Sequence, residues 1–535
     1  MAKRILALLL LLTVTISFLV SCSSSEEQET IADETNANTT NNDYSDEDDI
    51  LTPLDNDFLS RTETKYENIN GKTVTLYGFF VHIGETENNP NFSQAVLIDQ
   101  CIDYKDAHPD EDVYITLTSF HLSVYVAACL DKSSPEYGKM KNLYDEDFTS
   151  DGYYRLSYLL VEAARKGIEV TVIGHINAAD VTDENGEYRA DGNFDEYFNS
   201  HLDDEAYIEG KSVSDYMTFR KVQWLSYGDK SASDMMHSKT LSVSNYIDSD
   251  GNEHGATIWT GSINVDGVHS SGINGHNSIQ SAVIISEHEE LRRVMYNYTR
   301  LMAEYCDQEQ SIIFRNLIRE MNTEQIALLS QGKGAEIPSD KQVVYLGTEN
   351  DPVFELYFTS FGGTQNSWDT LNNPYCKYIS KLSPSVSGSS YIEFYWNNVK
   401  YKQDFNLADT IMKFIARSFE KNGSTENVLS LNLPGIDEGL FSGLTEGTNI
   451  GRLALNERNI GYHIKDLQLS YEENGVRHYV TIYNSLNIHE GSMAYQTNTV
   501  LVVNETAATG NNNYVNYGYM TLPSMGFENK RLKDQ

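Results

Sequence analysis

Met236-His237-Ser238-Lys239-Thr240-Leu241-Ser242-Val243, followed after a polar turn by Trp259-Thr260-Gly261-Ser262-Ile263-Asn264, is the stretch whose reading decides the fold. Residues two apart on an alternating strand project to one face, so His237 and Lys239 share theirs. The Gly-Ser-x-Asn turn closing the next strand brings a hydroxyl and an amide beside them. The set supplies a nucleophile or base, a fixed positive charge and two neutral hydrogen-bonding groups. That combination suits a phosphate diester.

The flanking segments place this stretch inside an α/β half. Strands are predicted over residues 73–81, 113–117 and 169–173, and helices over 93–104 and 153–166, with Gly167 as a C-cap. Strand, helix, strand, helix, strand implies parallel pairing through right-handed crossovers. Segments 222–225, the His237 strand, 255–261 and 279–285 complete the sheet, and an amphipathic helix over 287–305 closes it. A similar order then repeats, with strands over 353–359, 391–395, 427–431 and 478–483 and helices over 374–382 and 407–419. In this reading Gln496-Thr497-Asn498-Thr499-Val500-Leu501-Val502-Val503 stands where the His237 strand stood. Thr509-Gly510-Asn511-Asn512-Asn513 then stands where Thr260–Asn264 stood, and residues 307–350 connect the halves.

The spacing resembles the HxK…GSxN signature of the phospholipase D superfamily, and the resemblance covers nearly the whole chain after residue 57. It implies a duplicated phospholipase D-like α/β fold, with halves 58–306 and 351–535 about a pseudo-two-fold axis and the site at their seam. It also implies displacement without metal or cofactor. One His attacks phosphorus to form a phosphohistidine; the other protonates the leaving oxygen and later activates water or an alcohol. His237 carries over as nucleophile, and Lys239, Ser262 and Asn264 as phosphate ligands, with Asn513 as the ligand retained in the second half.

This chain departs from the signature in three places. The fifth residue after the motif Lys, normally Asp, is Ser244. The carboxylate that usually orients the His lies in the strand after GSxN, where the nearest candidate is Gln280, with Asp266 or Glu287 as substitutes. The second motif reads as degenerate, with Gln496 for His, Asn498 for Lys and Asn511 for Ser. Gln and Asn have no proton to exchange near neutral pH, and losing general acid–base help costs ~10²–10⁴-fold in rate. His489, His269 and His276 are candidate rescuers. Two readings therefore stay open: a phosphodiesterase or phosphatidyl-transfer enzyme centred on His237, and a catalytically weak or inactive relative. Either would take a phosphodiester-bearing ligand, such as a lipid headgroup or wall polymer.

The chain begins with a charged pair, Lys3 and Arg4, and an apolar run over 5–19. Leu19-Val20-Ser21-Cys22 resembles a bacterial lipobox. That reading makes 1–21 a lipoprotein signal peptide and Cys22 the lipidated N-terminus, anchored to a membrane outside the cytoplasm. Residues 23–57 carry twelve Asp and Glu with no Lys or Arg, so Cys22 and this segment read as a disordered acidic tether. A net charge of −39 argues against nucleic acid, which wants a basic stripe, and against strongly anionic lipid. It leaves room for a local basic pocket. Cys101, Cys129, Cys306 and Cys376 show no metal-ligand spacing, so no metal site is expected. Both halves lie in one chain, and a monomer is expected.

Overall fold

The computed structural model describes residues 62–67, 73–82, 91–120, 122, 127–129, 153–175, 194–224, 235–265, 277–307, 309–348, 351–359, 373–381, 391–395, 428–432, 449–453, 460–462, 465–486, 496–504 and 529–531. All of them lie in one compact unit, Leu54–Gln535. The signal segment, Cys22 and the acidic tether fall outside the described residues, as do residues 407–419, Asn511, Asn513, Asp266, His269, His276 and His489.

The elements alternate as the patterning requires. First come β1 (Thr62–Glu67), β2 (Thr73–His82), α1 (Asn91–Ala107) and β3 (Tyr114–Ser119). The short β4 (Ala127–Cys129) and β5 (Tyr153–Arg155) pair with each other, ahead of α2 (Leu156–Arg165), β6 (Glu169–His175), α3 (Phe194–His201) and β7 (Met217–Val222). Next are β8 (Thr240–Val243), the small hairpin β9 (Tyr246–Ile247) and β10 (Glu253–His254), then β11 (Thr257–Gly261), β12 (Asn277–Ile285) and α4 (Glu289–Ala303). A connecting helix, α5 (Ser311–Ser330), leads to β13 (Phe354–Phe358), α6 (Pro374–Ser380) and β14 (Tyr391–Tyr395). The second region continues with β15 (Val428–Asn432), β16 (Asn449–Leu453) and β17 (Ile460–Tyr462). It ends with β18 (Leu467–Glu473), β19 (Val476–Asn484), β20 (Thr499–Asn504) and β21 (Asn529–Arg531).

Two mixed sheets result. The first runs β1-β2-β12-β11-β8-β3-β6-β7, with β17 added to β12; the second runs β13-β20-β19-β18-β14-β15-β16-β21. From β2 and from β13 onward, the two orders show one pattern of pairing: four antiparallel junctions, then two parallel ones. The parallel junctions of the first sheet, β3–β6 and β6–β7, are joined through α2 and α3, and those of the second are β14–β15 and β15–β16.

The centre of the first sheet is buried on both faces. Ile115, Leu117, Val170, Val172, Leu241 and Val243 join Leu159, Leu160 and Ile98 of α1 and α2 in one apolar core. The alternate residues carry a ladder of hydroxyls instead. Thr116 Oγ1 meets Ser242 Oγ at 2.6 Å and Thr118 Oγ1 meets Thr240 Oγ1 at 2.8 Å, so each buried polar group is satisfied by its cross-strand neighbour. α4 packs against β3, β6, β8 and β11. α2 ends as its sequence predicts: Gly167 takes φ +82° and Ile168 N donates to Ala163 O, closing the last turn.

Two local expectations are corrected. The helix expected from residue 153 starts at Leu156, because Tyr153–Arg155 pairs with Ala127–Cys129. The strand expected over 222–225 is Met217–Val222, in register with β6 from Val170↔Met217. Gln223 and Trp224 leave the sheet to donate to the carbonyls of Cys306 and Tyr305. Cys101 and Cys306 are buried free thiols, both pushed up by burial, Cys306 to about 12. Among the described residues no helix is long and apolar enough to cross a membrane, and no acidic, His or Cys cluster could hold a metal.

Candidate active site

His237, Ser238 and Lys239 form the extended lead into β8, and Ser262 and Asn264 follow the end of β11; all are buried. β8 and β11 are antiparallel neighbours paired Thr240↔Thr260, so their ends deliver the two motif pieces to one place. Thr260 Oγ1 donates to Lys239 O at 3.2 Å and fixes that juxtaposition. Lys239 has no exposed surface; its Nζ donates to His237 O at 2.9 Å and lies 5.5 Å from the centre of the Phe120 ring. Phe120, at the end of β3, also packs against His237 at 5.0 Å and His175 at 5.4 Å. An ammonium within about 6 Å of an aromatic face is attracted by the ring's quadrupole.

Sheet order corrects the second motif. The strand carrying Thr499–Asn504 occupies the place of β12, not of β8, and β8's counterpart is β18. Gln496 and Asn498 therefore lead into the strand after the second turn and are not replacements for His237 and Lys239. Just ahead of β18 the chain reads His463-Ile464-Lys465-Asp466, and β19 ends at Asn484, which Ser485-Leu486-Asn487 follow in the sequence. That is a second HxK followed by a second Ser-x-Asn, with Asn484 in place of Gly261. Asn511 and Asn513, matched by the same sequence correspondence, lie outside the described residues.

Of this second set, Lys465, Ser485 and Leu486 are described, and all three are buried; His463 and Asn487 lie outside the described residues. Asn484 Nδ2 donates to Lys465 O at 2.5 Å, and Asn484 Oδ1 accepts from Leu486 N at 2.8 Å. The lead into β18 is thereby tied to the turn after β19, as Thr260 ties Lys239 in the first half. Burial pushes the Lys465 ammonium down to about 7, with adjacent Asp466 pulling the other way.

The halves meet reciprocally. Met236, just before His237, bridges in parallel to Thr497, just before β20. β17, which ends just before His463, pairs in parallel with the start of β12, Asn277↔Ile460 through Ile279↔Tyr462. Each motif lead thus lies beside the other half's counterpart strand, as a two-fold relation between the halves requires. Across the first of these contacts His237 Nδ1 meets Asn498 Oδ1 at 2.9 Å. Gln280 stands two residues before Ala282 as Asn498 stands two before Val500, with Ala282 paired to Gly261 and Val500 to Asn484. The His-orienting place sought within the first half is thus supplied to His237 by the second. Glu287, considered for it, is engaged elsewhere: its carboxylate accepts from Gly255 N at 3.0 Å and meets His254 Nδ1 at 3.2 Å.

A signal for the missed elements was present. Asn474-Gly475 between alternating apolar runs is a two-residue hairpin turn, and both residues take positive φ, +55° and +77°. Reading that turn makes 467–473 and 476–484 one hairpin and puts His463-x-Lys465 at its mouth.

No family model and no curated protein matches the chain. Solved structures similar to it include phosphatidylserine synthase of Haemophilus influenzae Rd KW20, at 9% identity and TM-score 0.41, covering 85% of this chain and 89% of that one. Polyphosphate kinase from Porphyromonas gingivalis overlaps at 10% identity and TM-score 0.38, covering 80% of this chain, which spans 44% of the kinase. A mutant of yeast tyrosyl-DNA phosphodiesterase overlaps at 10% identity and TM-score 0.35, covering 76% and 86%. Overlap that low carries no inference about function.

Proposed function

We propose that this chain cleaves or transfers phosphodiesters in the manner of the phospholipase D superfamily, with a site shared by two sets, each an HxK and a Ser-x-Asn. The observation that carries the reading is the contact of His237 Nδ1 with Asn498 Oδ1 at 2.9 Å across the seam, beside a fully buried Lys239. With Nδ1 donating to the amide oxygen, the Nε2 lone pair is left for phosphorus. A P–Nε2 bond forms as the P–O bond breaks, and the leaving oxygen takes its proton from His463. His463 then removes a proton from water or an alcohol, whose oxygen displaces His237 from phosphorus. Lys239, Lys465, Ser262 and Asn264 hold the non-bridging oxygens where negative charge concentrates. The ground for an inactive relative was the loss of His and Lys from the second half, and that ground goes with the Gln496 assignment.

The substrate class is a diester monoanion on a polar or lipid body, such as a phospholipid headgroup or a wall polymer. Activity on a phospholipid and on a chromogenic diester, measured for wild type beside His237→Ala, tests it. Quenching wild type in alkaline denaturant should trap an acid-labile phosphoenzyme that His237→Ala lacks; full turnover in His237→Ala would end the proposal. The Leu-Val-Ser-Cys sequence supports placement on the outer side of a bacterial membrane through lipid on Cys22. Cys22→Ser should move the mature protein into the soluble fraction; retention on membranes at high salt would refute the anchor.

A further inference from the structure

We infer that Asn498 is a positioning residue that holds His237 through a neutral amide, setting the site to work at lower pH than a carboxylate-held imidazole would. The activity arm of the test rests on the phosphodiesterase reading; the titration arm does not.

The amide's orientation follows from where protons are spent around it. Thr359 Oγ1 donates to Gln496 O at 2.7 Å, so toward Asn498 it can only accept, and it does so from the backbone N at 2.8 Å and from Nδ2 at 3.4 Å. On the other side, Ser485 Oγ accepts from Thr499 N at 3.1 Å and donates to Asn498 Oδ1 at 3.2 Å. Flipping the amide would set its oxygen against an accepting hydroxyl and its NH₂ against a donating one. Asn498 Oδ1 is therefore the acceptor at His237, and His237 must carry a proton on Nδ1. The seam fixes the tautomer through a neutral amide at 2.9 Å from Nδ1.

The charge consequence follows. A carboxylate at this position would favour the imidazolium and raise its pKa by about one to three units. An amide oxygen orients the ring with no net charge. On the same segment, the Lys239 ammonium donates to His237 O at 2.9 Å, and a cation there favours the neutral ring. At the end of β3, Phe120 is uncharged, with His175 of β6 against it. From α4, Tyr298 approaches Ser238 Oγ at 3.2 Å, and burial pushes its phenol up, so it stays neutral. From the second sheet come Asn498, Ser485 and Thr359, all neutral, and Lys465 stands in the lead into β18. Beside Lys465 stands Asp466, a buried carboxylate. With an amide in place of a carboxylate at Nδ1, the nucleophile is available at pH values where a carboxylate-held histidine would be protonated.

The test is an NMR titration of ¹⁵N-histidine-labelled full chain, with His237 assigned by His237→Gln, in wild type, Asn498→Asp and Asn498→Ala. Kcat/KM against pH on a chromogenic diester is measured alongside. Wild type should show the Nδ1-H tautomer above its pKa. Asn498→Asp should raise that pKa by about one to three units and move the acidic limb of kcat/KM up by the same amount. Asn498→Ala should fold and lose the tautomer preference. An unchanged His237 pKa in folded Asn498→Asp, or an unchanged tautomer in Asn498→Ala, overturns the proposal. A titration that shifts in a protein without diesterase activity upholds the clamp and refutes the phosphodiesterase reading.

Discussion

In the first sheet, β8 and β11 are joined through an extra hairpin, Tyr246–Ile247 with Glu253–His254, tied by Asp248 to Asn252 and His254. In the second, β18 and β19 are joined directly by Asn474-Gly475. Both arrangements bury a lysine ahead of the inner strand, Lys239 or Lys465, and a serine after its partner, Ser262 or Ser485. The site therefore depends on which strands are neighbours and where they end, and the length between them is free to vary. The seam is less symmetric than the sheets: β17 joins the first sheet as a strand, whereas Met236 and Thr497 form a single bridge.

If the halves contribute equally to the chemistry, His463→Ala should cost turnover as heavily as His237→Ala, about 10²–10⁴-fold. The two should differ in kind: His463→Ala should recover most with substrates whose leaving group needs no proton, while His237→Ala should not. A diesterase assay with aryl and alkyl leaving groups reads the difference. Wild-type rates in His463→Ala would break the equivalence of the halves.

A linked pair of lysines should show next. Lys239→Ala and Lys465→Ala should each lose roughly ten- to a hundredfold in kcat/KM, as removal of one charged hydrogen bond worth ~1.5–3 kcal/mol implies. Lys465 also predicts a stability effect of definite sign. Its pKa falls from 10.5 in the unfolded chain to about 7 when folded, so the unfolded chain binds the extra proton between these values. Stability should therefore rise with pH from about 7 toward 10. Lys465→Met should raise Tm at pH 7 and flatten that rise; a lower Tm would show that the buried ammonium has a partner worth more than its desolvation.

The halves are also joined away from the seam. His288, the N-cap of α4, meets Asp351, just before β13, at 2.6 Å, and Tyr345 donates to the same carboxylate oxygen at 2.8 Å. Burial pushes the Asp351 carboxyl up, but these hydrogen bonds outweigh it and hold it below the usual range. Its contribution is present above the ordinary carboxylate pKa and is lost as pH falls through the lowered one. Asp351→Ala should cost about 1–3 kcal/mol, the range for leaving buried hydrogen-bond partners unsatisfied. A single calorimetric transition would show that the halves unfold together; two would separate them.

Smallest of all, Gln496→Ala should change turnover by no more than a few-fold, and EDTA should leave it unchanged. Loss of activity in either case would restore a catalytic role to the Gln496 segment or bring in a metal.

Much of the first half was legible because its signals are local. Alternating runs such as Tyr114–Ser119 and Glu169–His175, and the Gly167 cap, report on a few residues at a time. The motif at His237 stood in an obvious strand pair. The second half misled because Gln496–Val503 is an equally good apolar strand with polar residues at its head. Period-2 patterning identifies a strand without naming its neighbours. The Asn474-Gly475 turn was the local clue that could have ordered the strands correctly.

By itself the sequence determined an α/β chain with a His-Lys-Ser-Asn set at 237–264, because side-chain periodicity and turn chemistry act over short spans. Only the tertiary structure decided that Asn498 faces His237 and that Gln280 holds the matching place in the other half. The first of those relations crosses 261 residues, and both exist only once two sheets have folded and met.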